Sequence, residues 1–272
     1  MKIGVIGMGF VGGALYKGFL AREQNIVGYD KYKNIGSFED VLDTDIVFLC
    51  LPTPYVEDHG FDISALQSVC KELADNMYFG LVVLKSTVEP GTTRMLSETY
   101  GLNVAHNPEF LTARTADKDF DEQKHIVLGF YDRNSKMGGT RIIPSYPKEA
   151  LTALYLKTFP GAEISVCSSE ESESMKLFVN SFYAVKVQMF NEFYLLCQKS
   201  GSDFSKVTEL MLKNGWINPM HTLVPGPDGQ LSYGGACFPK DTNALNQFMK
   251  KVGSPHEVLE ACIKERNKMR KD

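Results

Sequence analysis

The run Gly234-Gly235-Ala236-Cys237-Phe238-Pro239-Lys240-Asp241 sets a cysteine on a glycine turn, with a cation three residues on and a carboxylate four residues on. Glycines let a backbone come close to a substrate. A helix-like run, Thr242 to Lys251, follows directly. A nearby ammonium and a helix N-terminus both lower a thiol pKa and favour the nucleophilic thiolate. The other end of the chain carries a second chemistry. Gly7-Met8-Gly9-Phe10-Val11-Gly12 follows the apolar run Lys2–Ile6 and opens a helical pattern. Glycines at this spacing permit a tight turn, the close approach of a pyrophosphate and helix–strand packing, and the helix N-terminus stabilises the phosphates. Asp30 ends the next apolar run. A carboxylate there accepts hydrogen bonds from a ribose diol and repels a 2′-phosphate, so NAD is expected, although Lys31 and Lys33 leave room for NADP. A dinucleotide at one end and a thiolate at the other suggest covalent catalysis coupled to hydride transfer.

Both features need elements to position them. Short apolar runs over Lys2–Ile6, Ile26–Tyr29, Ile46–Cys50, Val82–Lys85, Val104–Ala105 and Ile126–Leu128 read as strands. Helical patterns such as Val11–Arg22 and Ile63–Asn76 separate most of them. This alternation predicts an α/β fold, a Rossmann-type doubly wound parallel sheet with ligands at the carboxyl ends of its strands. The stretch Asn134–Pro147 reads as a mobile loop, followed by a helix over Lys148–Phe159 and a strand over Glu163–Val166. From Glu170 to Lys199 there is neither Pro nor Gly, and Ser168-Ser169 supply N-caps. That long helix is apolar over most of its circumference (Met175, Leu177, Phe178, Phe182, Val185, Met189, Leu196), so it is expected to be buried within the subunit or against a partner. A helix over Asp203–Asn214 leads to the turn-rich loop Asn218–Gly235. Residues 1–168 are therefore read as the cofactor domain and 169–272 as a mostly helical domain, with a long central helix, that carries Cys237.

Composition narrows the class. The net charge of −4 with no basic block argues against nucleic acid. No segment reaches the ~18 apolar residues of a membrane span, and because the sequence opens on a strand no signal peptide is expected. The six cysteines form no CxxC pair, which argues against a zinc site and a disulfide framework and for a reducing, cytosolic compartment. His106, His125 and His221 lack metal-ligand spacing, so no metal is expected.

Further motifs lie between the two ends: Thr53-Pro54 after the third strand, Ser86-Thr87-Val88-Glu89-Pro90-Gly91-Thr92-Thr93, Asn107-Pro108-Glu109-Phe110-Leu111, then Glu173, Lys176 and Asn180, and Asn191-Glu192. With the glycine fingerprint and the cysteine segment, these ordered motifs make the chain resemble the UDP-glucose/GDP-mannose dehydrogenases over nearly its whole length. The resemblance implies oxidation of a nucleotide sugar's C6 primary alcohol to a carboxylate with two NAD⁺. It implies that Cys237 is the nucleophile for a thiohemiacetal and thioester, with Asp241 activating water and Lys240 supplying field. Lys176 and Asn180 would stabilise oxyanion charge, Glu109 would do acid–base or water-ordering work, and Thr87 would hold water or contact the nicotinamide. Gly7, Gly9, Phe10, Val11, Gly12, Asp30, Thr53, Pro54 and Thr87 would hold the cofactor. A homodimer through the 170–199 helix is also implied.

Two departures stand out. Such enzymes usually continue for another third, so the chain reads as a short form lacking the C-terminal UDP-binding domain. After Glu109 the family usually has Phe-Leu-x-Glu-Gly, whereas here Ala113 replaces the glutamate and Arg114 the glycine. These departures keep two rivals open. One is a single-step hydroxyacid or alcohol dehydrogenase in which Cys237 is incidental; the other is a catalytically impaired NAD-binding regulatory module.

Overall fold

In the computed structural model, which describes residues 1–131 and 146–271, the chain runs β1 (Lys2–Ile6), α1 (Phe10–Ala21), β2 (Asn25–Tyr29), α2 (Phe38–Leu42), β3 (Ile46–Leu49), β4 (Tyr55–Val56) and β5 (Gly60–Phe61). It continues with α3 (Ser64–Asp75), β6 (Leu81–Leu84), α4 (Thr92–Tyr100), β7 (Asn103–His106), α5 (Ala116–Asp121), β8 (His125–Phe130), α6 (Tyr146–Thr158) and β9 (Glu163–Ser168). Helices α7 (Ser169–Ser200), α8 (Phe204–Lys213), α9 (Phe238–Lys251) and α10 (Glu257–Met269) complete it. The mobile loop expected over 134–147 lies outside the described residues except at its end, where α6 begins at Tyr146.

Seven strands form one sheet in the order β2-β1-β3-β6-β7-β8-β9. Its strands are short unbroken apolar runs because both faces are covered. Successive side chains point to opposite faces. Thus Ile3, Val5, Phe48 and Val83 pack with Ala14, Leu15 and Phe19 of α1, Phe120 of α5 and Leu151, Leu154 and Tyr155 of α6. Val47, Leu49, Val82, Leu84 and Val104 pack on the other face with Val41 of α2, Leu66, Cys70 and Leu73 of α3 and Leu96 of α4. Each such buried aliphatic side chain contributes roughly 1.5–3 kcal/mol relative to exposure. The expectation of a parallel sheet needs one correction: β7 and β8 pair antiparallel. The connecting helix α5 has six residues, about 9 Å of rise at 1.5 Å per residue, too short by itself to carry the chain back along a strand. The strand order reverses direction between β1 and β3, so the turns after them flank the crevice where such sheets bind ligands.

The chain divides into two compact units, Met1–Pro54 with Asp62–Lys176, and Tyr55–Phe61 with Leu177–Asp272. The small hairpin β4–β5, unrecognised in the sequence, belongs to the second; Asp58 at φ 64° makes its turn. Around the helices of that unit, Ala184, Tyr233 and Cys262 form a small core with Val185, Val187 and Phe238. Helix α8 is capped by Asp203, whose side chain accepts from the amides of Ser205 and Lys206. Helix α9 starts at Phe238, four residues before the expected Thr242, because Pro239 in its first turn lacks an N–H that the helix would leave unpaired anyway. No helix among the described residues is long and apolar enough to cross a membrane.

Candidate active site

The glycine turn fits a dinucleotide. Gly7 has φ +91°, and a Cβ there would stand 2.5 Å from the Cys50 carbonyl oxygen; one at Gly12 would collide with the carbonyl of Gly7. Gly9 is different: nothing lies within 4 Å of where its Cβ would be, so the backbone is open to a ligand. Phe10, Val11 and Gly12 supply the first-turn amides of α1, which have no intrahelical acceptor. The Asp30 carboxylate accepts from the amides of Met8 (2.8 Å), Tyr32 (3.0 Å) and Lys33 (3.0 Å). Burial works to raise its pKa, but these backbone donors and the Lys33 charge outweigh it and hold the carboxyl below its ordinary range. Three of about four acceptor positions are used, leaving one for a ribose hydroxyl. Thr53 donates its hydroxyl to the Thr87 carbonyl at 2.7 Å, and Ser86 donates to that of Leu51 at 2.6 Å. These bonds tie the exposed Pro54 turn after β3 to the turn after β6.

The polar stripe of α7 is buried, but its members do not pair with one another. Lys176 Nζ lies 3.5 Å from Glu109 Oε1, with both side chains almost fully buried, and 5.1 Å from the Phe110 ring centroid. Glu109 Oε2 accepts the Leu111 amide at 2.5 Å, which fixes the carboxylate on its own turn. A lysine that sequence reasoning missed supports the same turn. Lys85, buried at the end of β6, donates to Asn107 Oδ1 at 3.0 Å and lies 3.4 Å from the Pro108 carbonyl. Burial pulls its ammonium down to about 8 against the opposing charge of Glu109. The signal was a lysine closing an otherwise apolar strand. Asn107 also accepts from the Tyr155 hydroxyl and donates to the Val127 carbonyl.

Glu173, on the same stripe, caps another helix instead of taking part with Lys176. Its carboxylate accepts from the amides of Gly91 (2.6 Å) and Thr93 (2.7 Å) and from the Thr93 hydroxyl (2.6 Å) at the start of α4. Burial outweighs these donors and pushes its pKa up to about 7. A folded-state pKa above the unfolded value means that stability present below pH ~4.5 is lost as pH rises through about 7. The stability advantage of the wild type over Glu173→Gln should therefore shrink by about 3 kcal/mol between pH 4.5 and 7.5, at 1.36 kcal/mol per unit. Urea unfolding of both proteins across that range measures it; a gap that widens with pH would show that the hydrogen bonds win over burial.

In the second unit, Cys237 is half-buried and is the N-cap residue of α9. Asp241 is therefore inside the helix, not at its cap. Its fully buried carboxylate accepts from Asn180 Nδ2 at 2.6 Å and pairs with Lys240 Nζ at 2.5 Å. The ammonium of Lys240 also lies 4.4 Å from the Phe61 ring centroid. The loop leading to Cys237 is anchored on both sides. The Ser232 amide donates to Asn191 and its hydroxyl to Gln188, both on α7, while Arg266 donates to the Tyr233 carbonyl and Arg270 pairs with Asp228 at 2.7 Å. The histidines do other work. His106 is buried against Ser172, its ring driven down to about 3 chiefly by desolvation; His125 bonds Ser165; His221 stacks on Tyr183 at 4.6 Å. Among the described residues no group of three or more His, Cys, Asp or Glu is placed to hold a metal ion.

Comparison with known proteins matches this arrangement. Residues 35–155 match the family model for the NAD binding domain of the UDP-glucose/GDP-mannose dehydrogenase family, and residues 170–268 match that for its central domain. The UDP-glucose 6-dehydrogenase AglM of Haloferax volcanii is 30% identical over 249 residues, covering 86% of this chain and 55% of that protein. A UDP-glucose 6-dehydrogenase of Rhizobium meliloti is 32% identical over 229 residues, 81% of this chain and 49% of that one. The solved UDP-glucose dehydrogenase of Pyrobaculum islandicum superposes with TM-score 0.83 at 26% identity, over 98% of this chain and 68% of that structure. The chain spans about half the length of the curated relatives it matches. With an NAD-binding Rossmann unit followed by the matching central segment, the chain belongs to the UDP-glucose/GDP-mannose dehydrogenase family.

Proposed function

We propose that this protein oxidises the C6 primary alcohol of a UDP-glucose-like nucleotide sugar to a carboxylate, with Cys237 as covalent nucleophile. The observation that carries this reading is the buried polar stripe of α7, with Lys176 on Glu109 and Asn180 on Asp241, four residues after the cysteine. Burying charged and polar groups is costly unless they are paired or serve a site. NAD⁺, when bound, accepts a hydride from the substrate carbon in each of the two oxidations. The remaining steps belong to the chain. Glu109 orders or takes the alcohol proton, and Thr87 holds water or the nicotinamide. The Lys176 ammonium and the Asn180 amide stabilise negative charge on the substrate oxygen. The Cys237 thiolate adds to the aldehyde carbon, giving a thiohemiacetal whose oxidation leaves a thioester. Asp241, held by Asn180 and Lys240, orients the water that releases the carboxylate and restores the thiol. Residues 1–168 serve as the cofactor domain and 169–272 as the substrate domain.

The same reading places the protein in a homodimer. Phe178, Phe182, Met189 and Leu196 share one face of α7 and are 55%, 66%, 42% and 62% exposed, an apolar stripe that a second α7 would cover. Six free cysteines suit a reducing cytosol. The test is a screen of UDP- and GDP-sugars with NAD⁺ that follows NADH and product together. Two NADH per carboxylate are expected; one NADH with free aldehyde, or none with any sugar, overturns the proposal.

A further inference from the structure

A cleft of about 480 Å³ opens between the start of α1 and the loop entering α5, with Gly9, Phe10 and Gly13 on one wall and Ala113 and Arg114 on the other. Ala113 and Arg114, which replace the family's glutamate and glycine, therefore line the same cleft as the glycine turn. Three cations line this cleft. Lys17 is neutralised by Asp117 at 2.7 Å, and Lys118 lies 4.0 Å from Glu122. Arg114 has no ion pair or hydrogen bond among the described residues. Its side chain is exposed, but its backbone is held in place. The Thr115 amide donates to the Thr112 carbonyl at 2.9 Å, so residues 112–115 form a turn with Arg114 third. Asp119 of α5 accepts from the Thr112 amide and the Thr115 hydroxyl, each at 2.8 Å, and closes the turn's two ends.

We propose that Arg114 is a ligand of the cofactor's diphosphate, a role that rests on the cofactor assignment to this unit but not on the oxidation chemistry. A dinucleotide diphosphate carries two negative charges and seats on the open first-turn amides of α1. A planar guanidinium can meet it with two parallel hydrogen bonds, which an ammonium cannot. Relative to the family's Glu-Gly, Ala113-Arg114 changes the charge contributed by these two positions from −1 to +1. A cation therefore stands in the cleft that the glycine turn also lines. Most unpaired surface arginines are merely solvated; this one stands on a pinned turn facing the glycine backbone.

Calorimetric titration of the full chain with NAD⁺, ADP and adenosine tests the assignment on wild type, Arg114→Gln and Arg114→Lys, with the exposed α3 variant Lys71→Gln as a control for net charge. Arg114→Gln should raise the Kd of NAD⁺ and of ADP about 10-fold, the size of one charge-assisted contact. Arg114→Lys should recover part of the loss, adenosine should be unaffected, and the difference should narrow as salt is raised. Unchanged NAD⁺ affinity in Arg114→Gln, or equal weakening of adenosine, overturns the proposal. A wild type that binds no NAD⁺ overturns the cofactor assignment with it, an outcome distinct from a binding wild type and an indifferent variant.

Discussion

Cys237→Ser should lower carboxylate formation by about 10³-fold or more, the scale seen when a covalent nucleophile is removed, while leaving the NAD⁺ dissociation constant unchanged. A serine hydroxyl is essentially un-ionised near neutral pH and a far weaker nucleophile than a thiol, which ionises several pH units lower. The variant should release at most one NADH per sugar, and an aldehyde or its hydrate should be found by mass spectrometry. The variant's melting temperature separates loss of chemistry from loss of fold. Cys237 is the N-cap of α9 and makes no side-chain capping bond. Serine is a preferred N-cap, worth up to ~1 kcal/mol there, so the melting temperature should hold or rise. Normal two-NADH turnover by the variant would remove the covalent route, and one NADH per sugar from wild type and variant alike would favour a single-step dehydrogenase.

Lys176→Met should lose both chemistry and stability. Preorganised donors at a developing oxyanion contribute ~3–4 kcal/mol to barrier lowering, so kcat should fall about 10²–10³-fold with little change in NAD⁺ affinity. Stability should drop because Glu109, 3.5 Å from the ammonium, would be left buried without its nearest cation. Breaking one partner of a buried pair costs ~3–5 kcal/mol. Urea unfolding measures that loss, and a Lys176→Met protein as stable as the wild type would show that the pair contributes nothing net.

Much of this arrangement was readable in the residues. The strand runs Lys2–Ile6 and Ile46–Leu49 announce themselves because a two-faced sheet demands unbroken apolar sequence. The glycine turn was readable because Gly7 and Gly12 occupy positions where any Cβ would strike backbone. What escaped was what depends on partners distant in the chain. Glu173 and Lys176 look like a local i, i+3 ion pair, yet one reaches back to cap α4 at Gly91 and Thr93 and the other meets Glu109. Lys85 looks like the end of a strand, and only the fold makes it a buried prop for Asn107. The helix that reads as starting at Thr242 is seen to begin at Phe238, which puts Asp241 inside it. The β4–β5 hairpin has two residues per strand, too few to show a period.

By itself, then, the amino-acid order determined the layered α/β unit, the NAD turn and the family, because these rest on hydrophobic period and on glycine sterics, which act between near neighbours. Only the tertiary structure decided which carboxylate meets which cation, since burial makes a charge seek whichever partner the packing delivers, however far away in the chain. That is why Asn180 holds Asp241, sixty-one residues distant, and why Arg114 is found facing the glycine turn.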